Sequence, residues 1–140
     1  MSTTIFFEDL KVGQTGSLSK TITEADIVLY SAVSMDTNPA HLDEEYAKKT
    51  VFGGRIAHGM LSAGLISAVL GTRLPGPGTI YLGQTLKFKA PVKIGDTVTA
   101  TAEITDLHAE RKRVTLKTTC TVAGKVVIEG EATVTVPSRG

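Results

Sequence analysis

DTNPAHLDEEYAKKTVFGGRIAHG, residues 36–59, runs directly into the apolar MLSAGLISAVL of residues 60–70. Polar loop, glycine break and apolar segment follow one another, and they separate a helical first half from a strand-patterned second half. Asn38-Pro39 is a turn signal, and the residue before a proline is pushed out of the helical region. Asp36 and His41 stand five residues apart, so a regular helix would not place them on one face. A turn at Asn38-Pro39 lets them converge on one point. A carboxylate and an imidazole meeting beside an apolar helix suggest proton transfer near neutral pH. Gly53-Gly54 breaks the chain again. The segment after His58-Gly59 is apolar nearly all round, which predicts a buried helix over 60–70 ended by Gly71. Its small residues Ser62, Ala63, Gly64, Ser67 and Ala68 let other backbones come close.

Upstream of this stretch, Asp9–Gly13 reads as a turn into a strand near Thr15–Ile22. Thr23 is a candidate N-cap, with Asp26 in the first turn where an acid is favoured. Ala25, Val28, Leu29 and Ala32 then form a helical apolar stripe running to about Met35. Leu42–Lys49 predicts a short helix capped by Asp43, with Tyr46 and Ala47 facing inward. Downstream, Pro75-Gly76-Pro77-Gly78 is a stiff break, and everything after it alternates with a period of two. The apolar sets are Ile80 to Ala90, Val98 to Ile104, Val114 to Val122 and Val126 to Val136, interleaved with threonines and charges. Such patterning indicates antiparallel strands with one buried face. Gly124 marks a tight hairpin and Leu107–Lys112 a longer, charged one. The expected architecture is α+β: one strand, helices, then four strands, with a long antiparallel sheet wrapped around one buried helix.

The chain has 140 residues, enough for one domain, 1–140, with a real core. Its net charge of +1 argues against a duplex nucleic-acid partner, which requires a basic face. MSTTIFFEDL carries acids and lacks an apolar core, so no signal peptide is expected. The longest apolar run is too short to span a bilayer, so no membrane partner is expected either. A single cysteine, Cys120, excludes an internal disulfide and a zinc ribbon and fits a reduced, cytoplasmic setting. On its strand it belongs with Leu116 and Val122 in the core.

Among candidate site residues, Asp36 and His41 form the strongest pair; the plain alternative is a capping aspartate beside a loop histidine. Gly59 opens a helix, where unpaired N–H groups and a partial positive charge can polarise a carbonyl. The alternative for Gly59 is simple room for packing. His58 reads as structural, bonded to a nearby carbonyl, and His108 as solvated. Asp36, His41, Asp43 and His58 lack the HxH or HExxH spacing of a metal site, so no metal is expected. Ser62 and Ser67 have no GxSxG elbow and do not look like nucleophiles, although Ser67 can bond a buried group.

SMDTNPAHLDEEYA, VFGGRIAHGMLSAGLISAVLG and PGPGTIYLGQTLKFKAPVKIGD together resemble the (R)-specific enoyl-CoA hydratases of the MaoC-like dehydratase group. The resemblance runs from Leu10 to Val136 and rests on D-x-N-P-x-H, A-H-G-M and Y-L-G-Q-x-L-x-F-x-x-P-V-x-x-G-D. It implies a hot-dog fold, usually a homodimer, and water addition to trans-2-enoyl-CoA giving (R)-3-hydroxyacyl-CoA. It maps the catalytic pair onto Asp36 and His41, has Asn38 hold the loop, gives the Gly59 amide to the thioester oxygen, and makes Ser67 a supporting serine. No cofactor is implied beyond the coenzyme A of the acyl-CoA thioester itself, because the thioester already activates the double bond. Arg55 and the lysines near Lys87–Lys93 become candidate partners for CoA phosphates. The group's members often link fatty-acid oxidation to polyester synthesis. A hot-dog acyl-CoA thioesterase and a non-catalytic acyl-CoA-binding domain are the competing readings.

Overall fold

A computed structural model describes residues 4–140. Its backbone is an antiparallel sheet with one long helix packed across its concave face. β1 (Thr15–Thr21) is followed by α1 (Glu24–Ser34), α2 (Pro39–Leu42), α3 (Glu44–Ala47) and α4 (Gly59–Thr72). Then come β2 (Ile80–Gln84), β3 (Lys87–Phe88), β4 (Thr97–His108), β5 (Arg113–Val122) and β6 (Lys125–Thr135). The strand order is β1-β4-β5-β6-β2, with β3 also on β6. This is the expected hot-dog arrangement, a sheet curled around a central helix.

Alternation of side chains decides the inner face. Val98, Ala100, Ala102 and Ile104 of β4, and Val114, Leu116 and Cys120 of β5, are fully buried. From α4 they receive Leu61, Ile66, Val69 and Leu70. Burying each such large apolar side chain stabilises the fold by roughly 1.5–3 kcal/mol. Thr23 is the expected N-cap of α1, and with Asp26 it completes a capping box with bonds of 3.2 and 2.8 Å. Asp43 caps α3 through the Tyr46 N–H at 3.2 Å. Ala123 and Gly124, both at positive φ (49° and 81°), turn the tight hairpin between β5 and β6.

Several expectations are corrected. The apolar run over 80–90 is two strands, not one, because the chain crosses over Gly130 between them. A Cβ on Gly130 would collide with the Thr85 carbonyl, so only glycine lets Gln84-Thr85 pass there. In β6 an extra residue opposite the Cys120/Thr121 step shifts the alternation. Val127 therefore points into the core with Ile128, and Val126 is exposed. The helix expected over 42–49 is shorter: Leu42 ends α2, the chain bends at Asp43, and α3 covers Glu44–Ala47, with Tyr46 pointing outward. The stripe Ala25-Val28-Leu29-Ala32 of α1 also faces out; the helix packs through Ile27 and Ser31 instead. Finally, α4 runs through Gly71 and is buried on one side only. Met60, Gly64, Ser67 and Gly71 form an open stripe along it.

Candidate active site

The turn between α1 and α2 is built by the short polar side chains the sequence places there. Met35 closes α1 in the left-handed conformation at φ 67°. The Asp36 N–H donates to Ser34 Oγ at 3.1 Å, and Asp36 Oδ1 accepts from the Asn38 N–H at 3.3 Å. Asn38 Oδ1 caps α2 by accepting from the Ala40 N–H at 3.0 Å, with Pro39 at the first helical position. Asn38 thus caps α2 at the end of this loop. Asp36 remains exposed, whereas His41, one turn into α2, is buried.

His41 Nδ1 lies 2.8 Å from the Ile56 carbonyl. A carbonyl only accepts, so Nδ1 carries the hydrogen and neutral His41 keeps a lone pair on Nε2. His58 lies behind it, 2 % exposed. Its Nε2 faces the Asp36 carbonyl at 3.0 Å and Ser31 Oγ at 3.1 Å, so Nε2 is likewise protonated. Burial lowers the His58 pKa below 6.5; the bond to the Asp36 carbonyl opposes this, His41 adds to it and the Asp36 carboxylate opposes it. His58 is therefore a neutral spacer that fixes the Asp36 backbone and stacks on His41, ring centres 3.9 Å apart.

One atom each from Asp36, His41 and His58 lies within 4.8 Å of the others, the spacing of a conceivable cation site. The two rings are tilted by only 30°. Stacked rings send their lone pairs side by side, whereas a tetrahedral metal needs them to converge. The donor set does not fit a metal without a rearrangement.

Asp36, His41 and Gly59 line one cleft of about 460 Å³, closed below by Ile128, Val92 and the ring of Phe88. Gly59 is the first residue of the 14-residue α4, where an N–H has no intrahelical acceptor. A Cβ on Gly59 would stand 2.5 Å from the Phe88 ring, so glycine is what lets the ring lie over the helix start. The cleft thus offers a carboxylate, an imidazole lone pair and a helix N-terminus around an apolar slot. That set can activate water and stabilise charge on a carbonyl oxygen.

Ser67 is not brought to this cleft. It lies in a second cavity of about 550 Å³ with Tyr30, Tyr81, Leu82 and Leu86. Ser62, dismissed as a nucleophile, does line the cleft; its buried hydroxyl has no partner among the described residues. Lys89 borders the cleft, whereas the Arg55 guanidinium is turned away toward Glu24. Ser31 and Phe88 were not singled out as site residues: Ser31 has no charged or turn-forming neighbour in the chain, and Phe88, between Lys87 and Lys89, reads as one more apolar residue of the strand pattern.

A MaoC-like domain model matches residues 10–130. An (R)-specific enoyl-CoA hydratase of Rhodospirillum rubrum is 72% identical over 135 residues, covering 96% of this chain and 94% of that protein. An R-hydratase from Pseudomonas aeruginosa superposes with a TM-score of 0.92 at 48% identity, covering 97% and 88% of the two chains. An (R)-hydratase of A. caviae involved in PHA biosynthesis superposes at 0.90 with 46% identity, covering 93% and 99%.

Proposed function

This chain belongs to the MaoC-like domain family, and from that premise we propose that it catalyses (R)-specific hydration of trans-2-enoyl-CoA to (R)-3-hydroxyacyl-CoA. One observation carries the reading. In a chain 72% identical to a hydratase, Asp36, His41 and Gly59 border the same cleft. A water between Asp36 and His41 gives one hydrogen to the carboxylate and the other to His41 Nε2. Its oxygen lone pair is left for C3. As the C3–O bond forms, the water proton passes to Asp36 and electrons move through C2 onto the thioester oxygen, facing the Gly59 N–H. Protonated Asp36 then returns the proton to C2. Every atom of water ends in the product, and the steps as written call on no cofactor or metal.

Asn38 serves as the loop's cap. Ser67 lies away from the cleft in the single chain, so its supporting role runs through a second copy in the homodimer we propose. The open stripe of α4 and the outward stripe of α1 support that dimer. Among the described residues no helix is long and apolar enough to cross a membrane. The lone thiol of Cys120 is buried and its pKa is pushed up to about 11, in keeping with a cytoplasmic enzyme that uses no disulfide. Supply of hydroxyacyl-CoA from fatty-acid metabolism to polyester synthesis is the fitting role.

The test uses crotonyl-CoA. Loss of the enoyl-thioester absorbance with chiral (R)-3-hydroxybutyryl-CoA as product is expected. Release of free CoA instead points to a thioesterase, and an unchanged spectrum to a binding domain.

A further inference from the structure

Arg55 occupies a place that the chemistry above does not use. Its Nε donates to the His41 carbonyl at 2.6 Å. Its two terminal nitrogens donate to Glu24 Oε2 and Oε1 at 2.7 and 3.1 Å. Glu24 is the first residue of α1, the helix whose far end delivers Asp36, and the His41 carbonyl belongs to α2. One planar guanidinium therefore bridges the two elements that carry the pair. The neighbouring backbone repeats the stitch: the Ile56 N–H donates to the Ala40 carbonyl at 3.2 Å, and His41 Nδ1–H donates to the Ile56 carbonyl. The Arg55 side chain is only 15% exposed while Glu24 is 57% exposed, so burial strengthens the bond to the His41 carbonyl more than the ion pair, which water screens.

We propose that Arg55, held by Glu24, is a positioning residue that sets the placement of His41 relative to Asp36. The inference rests on the hydratase reading for its kinetic consequence. α2 is a single turn of four residues and cannot hold its own orientation. It is held at the Asn38 cap and at the His41 carbonyl, and of these two only the second is tied to α1 by a side chain of distant sequence. An orientation error of about 1 Å at a reacting group costs on the order of 10²-fold in rate. Lysine cannot replace this device, because an ammonium lacks the fork that reaches a carbonyl and a carboxylate together.

The experiment compares wild type, Arg55→Ala, Arg55→Lys and Glu24→Gln with crotonyl-CoA, well below each melting temperature. Arg55→Ala should lose about 10²-fold in kcat with little change in KM. Arg55→Lys and Glu24→Gln should lose less, and millimolar guanidinium should restore part of the Arg55→Ala rate. The NMR signal of the His41 Nδ1–H proton gives a readout independent of turnover; it should broaden or vanish in Arg55→Ala while the fold persists. An unchanged kcat together with an intact His41 signal overturns the proposal. So does a rise in KM alone, which would make Arg55 a CoA contact. If wild type itself does not hydrate crotonyl-CoA, the functional reading falls, and the His41 signal still decides the positioning. If Arg55→Ala fails to fold, Glu24→Gln carries the same two measurements, and a wild-type result in both overturns the proposal.

Discussion

In the proposed hydration Asp36 and His41 act only as a pair, each holding one hydrogen of the same water. Asp36→Asn keeps shape but cannot take the proton, and His41→Gln keeps hydrogen bonding but loses the imidazole. Each should cut kcat by about 10²–10⁴, with KM moving much less, and the double mutant should fall little further. Steady-state kinetics on crotonyl-CoA check this; additive losses, or near-normal turnover in Asp36→Asn, would place the chemistry elsewhere. Exhaustive dialysis against EDTA should leave the wild-type rate unchanged, because the stacked rings of His41 and His58 do not converge on an ion. His58 itself carries a stability signature. Its folded pKa lies below 6.5, so between the two values the unfolded chain binds the extra proton. Its contribution is complete above pH 6.5 and declines as the pH falls toward the folded value. The gap in melting temperature between wild type and His58→Gln should narrow as the pH is lowered from about 7 to 5. A gap that stays constant across that range refutes the neutral-spacer role.

At the scale of elements, the edge of the sheet depends on one missing side chain. β2 and β3 both pair with β6, and the residues between them pass directly over Gly130. The Thr85 N–H donates to the Glu131 carbonyl at 2.9 Å, and the Glu131 N–H donates to Thr85 Oγ1 at 3.0 Å. These bonds pin the crossing where no Cβ fits. Gly130→Ala should lower unfolding stability by about 1–3 kcal/mol, the usual cost of forced overpacking. Urea denaturation measures it, and a wild-type midpoint would show that the crossing can lift. Phe88 belongs to β3, so the same lesion should also disturb the ring over Gly59 and lower activity.

The molecule as a whole leaves apolar surface uncovered. Leu29 and Val33 of α1 are 64% and 84% exposed, and Ile80 and Leu82 of the edge strand 62% and 47%. Surfaces of this kind mark association sites, and an edge strand with free backbone groups is a pairing template. The proposed homodimer would join them and bury roughly 1,200–2,000 Å² or more in total. Sedimentation at micromolar concentration should give a dimer, and Leu29→Glu with Val33→Glu should give a monomer of much reduced activity. A wild-type monomer with full activity refutes the dimer.

The parts legible in the chain itself are those set by near neighbours. Thr23 with Asp26, Asn38 with Ala40, and Asp43 with Tyr46 make their bonds within three residues, so the sequence alone determines those caps and turns. Period-two alternation likewise determines β4 and β5, and the turn at Asn38-Pro39 determines that Asp36 and His41 can meet. What tertiary structure alone decided involves partners far apart or faces that look alike. Glu24 and Arg55 are separated by 31 residues, and His58 meets Asp36 across 22, with no local pattern linking either pair. The helices α1 and α4 are apolar on more than one side; periodicity reports an apolar face but not which face meets the chain's own sheet. The extra residue in β6 reverses inside and outside at Val126 and Val127, and its effect exists only in register with β5. Local chemistry therefore specifies elements and turns, whereas packing selects among equivalent faces and brings distant charges to one loop.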